Sequence, residues 1–230
     1  MLSQLRKRKN RRGQPVREST VQHYLSAVSA VLSDAKRNEI IQTNPARMID
    51  LPTTNRMEQH IPTVQEVQRL LQALSMEPRH FRVFYLLAMA TGCRRGELCA
   101  LQWQDIDWEQ RSIHICRSAV KITGDEIFVK EPKTRSGDRY VYFSAQMENL
   151  LREYRRACQY ITTIYDEREL DTNDFLFRRQ GTRLPMTPTT FTWRFKCILK
   201  KNGLPQELNV HSLRHTAASL MIAGGTDVAT

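Results

Sequence analysis

No stretch of the sequence approaches the roughly 18 consecutive apolar residues of a membrane span, so no membrane segment is expected. The basic run from Arg6 to Arg12 leads into polar residues and not into an apolar h-region, so no signal peptide is expected either. The five cysteines, Cys93, Cys99, Cys116, Cys158 and Cys197, are odd in number and scattered without a CxxC. Neither a disulfide framework nor a zinc finger is indicated, and each thiol reads as a small buried hydrophobe in a reducing cytoplasm. P-loop, GxGxxG and GxSxG motifs are all missing, which removes support for nucleotide hydrolysis and serine esterase chemistry. His211 and His215 have the four-residue spacing of an HExxH site, but Ser212 stands where the general base would be and no third ligand follows. Asp105 and Asp107, two apart before a strand, read as turn chemistry rather than as a metal pair. No metal or other cofactor is expected.

Acidic residues are also in short supply: 24 against 35 basic ones, a net charge of +11. Such an excess points to a polyanionic partner, and nucleic acid is the usual one. Residues 1–20 hold seven basic side chains, Arg11 and Arg12 among them, and one acid, Glu18, so +6 of the +11 sits in that tail. A solvated tail and an ordered DNA contact are both consistent with it. Arg11, Arg12, Lys36 and Arg95 are candidate DNA-binding side chains.

What remains is well patterned. From Thr20 the residues Val21, Tyr24, Leu25, Val28, Val31, Leu32 and Ala35 recur at three and four, an amphipathic helix that Ser19 or Thr20 can cap. Asn44-Pro45 reads as N-cap and first position of a short helix reaching about Ile49. Leu51 to Pro62 looks like an extended linker. Thr63-Val64-Gln65-Glu66 is a capping box opening a helix striped by Val64, Val67, Leu70, Leu71 and Leu74. A second apolar helix spans about His80 to Ala90 and stops at Gly92, and a third carries Glu97, Leu98 and Leu101. Residues 112–118, 126–130 and 139–143 alternate, which predicts a three-stranded antiparallel meander. Helices are expected again at about Gln146 to Tyr165, at Pro188 to Lys201 after a Thr187 cap, and at Val210 to Ala223. The fold class is therefore α+β, mainly helical with a small three-stranded antiparallel sheet.

Two segments carry chemistry: Thr91-Gly92-Cys93-Arg94-Arg95-Gly96-Glu97 and His211-Ser212-Leu213-Arg214-His215. Residues three apart on a helix share a face, so His211 and Arg214 can converge on one point. Arg94 can bring a second guanidinium there, with Glu97 on its face to orient it. Guanidinium is planar, permanently charged and bidentate toward phosphate oxygens, which suits a phosphorane-like transition state. Arg95 points about 100 degrees away from Arg94 on a helix and is assigned to the surface or to backbone phosphates. Lys133, between the second and third strands, can protonate a leaving oxygen if its pKa is lowered.

The ordered set of Thr91-Gly92 with Arg94 and Glu97, then Pro132-Lys133-Thr134, then His211, Leu213, Arg214, His215 and Thr216 resembles the tyrosine recombinase family, phage integrase type. The resemblance covers most of the chain. Ser19 to Pro52, with Asn44-Pro45-Ala46, is similar to the end of that family's core-binding domain. It implies that residues 1–55 are the last part of a helical core-binding domain plus linker and residues 56–230 a catalytic domain, the two clamping duplex DNA. It implies metal-independent strand exchange by a homotetramer on DNA. Arg94 and Arg214 would grip the scissile phosphate, Lys133 would act as general acid, His211 would assist proton transfer, and Glu97 would support the site.

The nucleophile of such enzymes is a tyrosine. Only sixteen residues follow Arg214 and none is tyrosine; the last of the seven tyrosines is Tyr165. The chain is therefore expected to be a recombinase fragment, truncated at both ends, that holds DNA without cleaving it. A regulator derived from a recombinase, a metal-dependent DDE integrase and a type IB topoisomerase are the alternatives.

Overall fold

A computed structural model describes residues 7–9, 13–49, 62–122, 124, 126–131 and 137–213. The chain divides into two compact units, Met1–Glu58 and Gln59–Thr230.

In the first unit helix α1 spans Glu18–Arg37 and buries Val21 and Leu25, two members of the expected stripe. It starts earlier than the sequence suggests: Arg17 is its N-cap and offers no side-chain acceptor, so neither Ser19 nor Thr20 caps it. The Pro45–Met48 segment is a single 3₁₀ turn. Asn44 ties that turn to α1. Its Oδ1 accepts from Ala46 N at 2.9 Å, while its Nδ2 donates to Ser33 Oγ at 2.8 Å and Ser29 O at 3.0 Å. The side chain is buried with its polar atoms satisfied.

The second unit opens on α2, Val64–Ser75, with the predicted capping box in place: Thr63 N donates to Glu66 Oε2 at 2.7 Å and Glu66 N to Thr63 Oγ1 at 3.3 Å. Helix α3, Arg79–Thr91, ends at Gly92, whose φ of 61° lies in the left-handed region that favours glycine. Then come α4, Arg95–Cys99, a 3₁₀ turn at Trp103–Asp105, α5, Ala145–Tyr165, and α6, Pro188–Lys201. Thr187 is the N-cap of α6, as expected, but its hydroxyl bonds those of Thr189 and Thr190 instead of a helix amide. The core is aromatic at its centre. Phe84 stacks on Phe191 at 3.7 Å between ring centroids, and Phe177 meets both edge-on. Helix α3 thus packs on α6 through large buried rings.

The strands are β1, Ile106–Asp107, β2, Ser112–Ile115, β3, Ser118–Lys121, β4, Ile127–Lys130, and β5, Arg139–Tyr142. A three-stranded antiparallel sheet is present, but its order is β1-β2-β5, and β3 and β4 form a separate hairpin. The expected meander is corrected accordingly. Its first strand breaks at Cys116-Arg117, so β2 pairs with β5 while β3 turns away to pair with β4. Arg117, at the break, forms an ion pair with the buried Asp105. In the β2–β5 register Ile115 lies opposite Arg139 and Ile113 opposite Val141. Alternation then sends Arg139 and Val141 to the same side as the buried isoleucines, and leaves Tyr140 and Tyr142 exposed.

Candidate functional site

The Thr91-Gly92 break aims the residues behind it. Thr91 Oγ1 donates to Leu87 O at 2.7 Å and accepts from Cys93 N at 3.3 Å, closing α3 while the chain reverses through Gly92. Arg94 follows in extended conformation, φ −68° and ψ 147°, as N-cap of α4. Its N–H donates to Glu97 Oε2 at 2.8 Å and its Nη1 to Glu97 Oε1 at 2.8 Å. Glu97 therefore grips Arg94 at both ends, backbone and guanidinium. The side chain of Arg94 is 60% exposed and that of Glu97 only 7%, so a buried carboxylate holds a cation whose free edge faces solvent.

A second cation shares that carboxylate. Arg139 donates from Nη2 to Glu97 Oε2 at 2.8 Å and from Nη1 to Oε1 at 3.4 Å, and its Nη2 also reaches Cys93 Sγ at 3.8 Å. Burial pushes the Glu97 carboxyl up, but the hydrogen bonds from Arg139 and then Arg94 outweigh it and hold the group below its ordinary value. The same bonds raise Arg139 above the ordinary arginine value. Sequence reasoning missed Arg139. The available signal was its place in the alternation of residues 139–143: an arginine at an inward-facing strand position needs a buried acid.

Helix α4 sits close against β3. A Cβ on Gly96 would lie 2.7 Å from Ser118 Oγ and 2.8 Å from the Ala119 carbonyl oxygen, so only glycine lets the helix approach that far. Arg95, one residue on from Arg94, points elsewhere and donates to Thr192 Oγ1 on α6. Arg95 is exposed.

His211 is exposed at the start of a helix whose described part is residues 210–213. Asn209 caps that start, its Oδ1 accepting from Ser212 N at 3.0 Å while Ser212 Oγ accepts from Asn209 N at 3.1 Å. Lys36 is exposed in the last turn of α1. Arg214, Lys133, Arg11 and Arg12 lie outside the described residues. The structure therefore brings together Arg94 and Glu97 of the predicted set and adds Arg139.

Other expectations resolve in simple ways. Asp107 Oδ1 accepts from Glu109 N at 3.0 Å and Gln110 N at 2.9 Å, which is turn chemistry. Asp105 accepts from Gln102 N at 2.7 Å and pairs with Arg117. Cys93 and Cys99 are buried, while Cys116, Cys158 and Cys197 are partly so; burial pushes the Cys158 thiol up to about 11. Tyr85 and Tyr154 are buried, each phenol donating to a carbonyl oxygen at 2.7 Å, of Phe191 and Leu176 respectively. Burial raises both phenols well above the ordinary tyrosine value, and both rings pack in the core. A cleft of about 660 Å³, lined by Tyr154, Cys158, Ile161, Leu176 and Met186, is mostly apolar and includes none of Arg94, Glu97 and Arg139. Among the described residues no helix is long and apolar enough to cross a membrane.

The ICEBs1 integrase of Bacillus subtilis is 25% identical over 92% of this chain, and a tyrosine recombinase XerC of Pediococcus pentosaceus is 22% identical over 92%. The chain spans 56% and 65% of those two relatives. The fold is that of the Tn1549 transposon integrase, solved in complex with a circular intermediate DNA, with a TM-score of 0.75 and 21% identity over 92% of this chain and 69% of that one. A lambda integrase dimer bound to a COC′ core site matches with a TM-score of 0.60 and 19% identity, over 91% of this chain and 69% of that one. The phage integrase family profile matches residues 62–230. With that much of its length matched, the chain belongs to the phage integrase family.

Proposed function

We propose that this chain is the DNA-binding and phosphate-holding part of a site-specific tyrosine recombinase of a mobile element. Its substrate is duplex DNA. In the reaction of the whole enzyme a tyrosine oxygen attacks the scissile phosphorus, the bond from phosphorus to the 5′ oxygen breaks, and a 3′-phosphotyrosyl ester forms. The bond energy is kept in that ester, so the exchange needs neither ATP nor a metal. Attack by a 5′ hydroxyl on the ester then reverses the chemistry onto a new partner strand.

Arg94 and Arg214 stabilise the charge that develops on the non-bridging oxygens. Lys133 delivers the proton to the departing 5′ oxygen, and His211 assists proton transfer. Glu97 orients Arg94. Arg11, Arg12, Lys36 and Arg95 contact the DNA backbone, and the intact enzyme works as a homotetramer on paired sites. The observation that supports the reading best is the Arg94–Glu97 pair, a buried carboxylate holding a guanidinium whose outer edge is free to take a phosphate oxygen.

The last tyrosine of the 230 residues is Tyr165, ahead of the His211 motif. We therefore propose that the 230-residue chain binds duplex DNA but does not attach to it. Gel-shift binding should weaken steeply as salt rises, and a nicked suicide substrate should leave no covalent adduct in denaturing gels. Salt-insensitive binding would remove the phosphate reading, and an adduct would remove the claim about the tyrosine. Recombination by the whole enzyme should persist in EDTA, where a metal-dependent DDE integrase would stop.

A further inference from the structure

We infer that Arg139 is a positioning residue whose guanidinium cancels the charge of Glu97, so that Glu97 can hold Arg94 in place without neutralising it toward a phosphate. The inference rests on the phosphate-binding reading above and assigns a residue that the sequence motifs do not contain.

Arg94 and Glu97 alone form a closed ion pair, with contacts at 2.8 Å from both the backbone N–H and Nη1. Such a pair is rigid but has no net charge, and the field it offers a phosphodiester is that of a dipole. A bare Arg94 would keep its charge and lose its aim. Arg139 removes the conflict. It approaches the same carboxylate from β5 through two hydrogen bonds and is itself 28% exposed, against 60% for Arg94. The cluster of two guanidiniums and one carboxylate carries +1, and its most exposed cation is Arg94. Arg139 is turned inward, with contacts from both of its Nη atoms to Glu97 and Cys93, while Arg94 is the more exposed cation.

The groups meeting Glu97 from the described residues are Arg94 on its own helix and Arg139 on β5, with the Cys93 thiol against Arg139. Of the other elements packed on α4, β3 presents Ser118 and the Ala119 carbonyl to Gly96, α6 presents Thr192 to Arg95, and α3 leads into it through Thr91, whose hydroxyl accepts from Cys93 N.

The test uses the 230-residue chain and dimethyl phosphate, a phosphodiester that stays a monoanion across the pH range used. Binding is read from the Nε–Hε resonance of Arg94. The wild-type chain should show a saturable shift at about pH 7.5 and at about pH 5. Arg139→Gln should bind on the order of tenfold more weakly at the higher pH. Lowering the pH should lessen the loss, because without the Arg139 bonds burial shifts the Glu97 carboxyl upward, and a protonated Glu97 ceases to oppose Arg94. A merely structural role for Arg139 would produce a loss that pH does not mend. Arg139→Lys returns the cluster to +1 and should bind within about threefold of wild type.

Far-UV circular dichroism establishes that the variants are folded. If Arg139→Gln does not fold, the lysine variant decides, and a tenfold loss in it overturns the inference. An Arg139→Gln chain that binds like wild type, or that is equally weakened at both pH values, overturns it as well. A wild-type Arg94 resonance that ignores dimethyl phosphate altogether overturns the phosphate reading, and this inference with it.

Discussion

Arg139 sets its Nη2 2.8 Å from Glu97 Oε2 across 42 residues of sequence, and so joins the first strand position of β5 to the middle of α4. The contact couples the small sheet to the helix that carries Arg94. Because Glu97 is nearly fully buried, its stabilisation depends on those two arginines remaining where they are.

The coupling sets an acid limb to stability. Glu97 has its folded-state pKa held below its ordinary value of 4.5, against burial, by hydrogen bonds from Arg139 and Arg94. A group lowered in this way contributes stability above its unfolded pKa and loses it as pH falls through the folded one. Glu97→Gln should therefore cost about 1–3 kcal/mol near neutrality. The gap to wild type should narrow below about pH 4.5. Urea titrations at neutral and acid pH check this, and a gap that widens on acidification contradicts it.

Gly96→Ala should destabilise the second unit by about 1–3 kcal/mol through overpacking. The added Cβ meets the Ala119 carbonyl oxygen at 2.8 Å as well as Ser118 Oγ at 2.7 Å. Removing the hydroxyl with Ser118→Ala should recover only part of the loss, since the carbonyl is backbone and cannot swing aside. Thermal melts of the single and double variants decide whether the hydroxyl or the carbonyl is the obstacle.

Asn44→Ala should loosen the first unit by about 1–2 kcal/mol. It deletes the acceptor for Ala46 N and the donor to Ser33 Oγ and Ser29 O together. Amide hydrogen exchange should accelerate in residues 29–48 and leave α2 to α6 unchanged. Uniform acceleration over both units would contradict a local tie.

Asn209→Ala should fray the helix start that holds His211, at a cost of about 1 kcal/mol. The readout is faster amide exchange at Ser212, whose N–H bonds Asn209 Oδ1 at 3.0 Å. Exchange at Ser212 that matches wild type would show that the cap adds nothing.

Much of the helical framework was legible because helices are written locally. The stripe from Val67 to Leu74, the Thr63–Glu66 box and the stop at Gly92 each involve residues within a few positions of one another. Strand pairing is not local. Nothing near Ser112 announces that β2 will pass over β3 and β4 to pair with β5, and β1, with two residues, is too short for any period to register. The site divides along the same line. Arg94 and Glu97 are three apart and could be read together, whereas Arg139 reaches Glu97 only because the β2–β5 register carries it there. Lys133 and Arg214, the other two members expected at the phosphate, lie outside the described residues.

The difference in exposure between Arg94 and Glu97, 60% against 7%, separates two kinds of damage that usually travel together. Losing the outer guanidinium removes little packing, so, on the proposed function, a cell should accumulate an Arg94 variant of the whole enzyme at nearly normal levels and find it inert. Losing the carboxylate uncovers two cations at once, and a Glu97 variant should first be scarce and only then inactive. A genetic screen that scores protein abundance apart from recombination should place these two neighbouring positions in different classes.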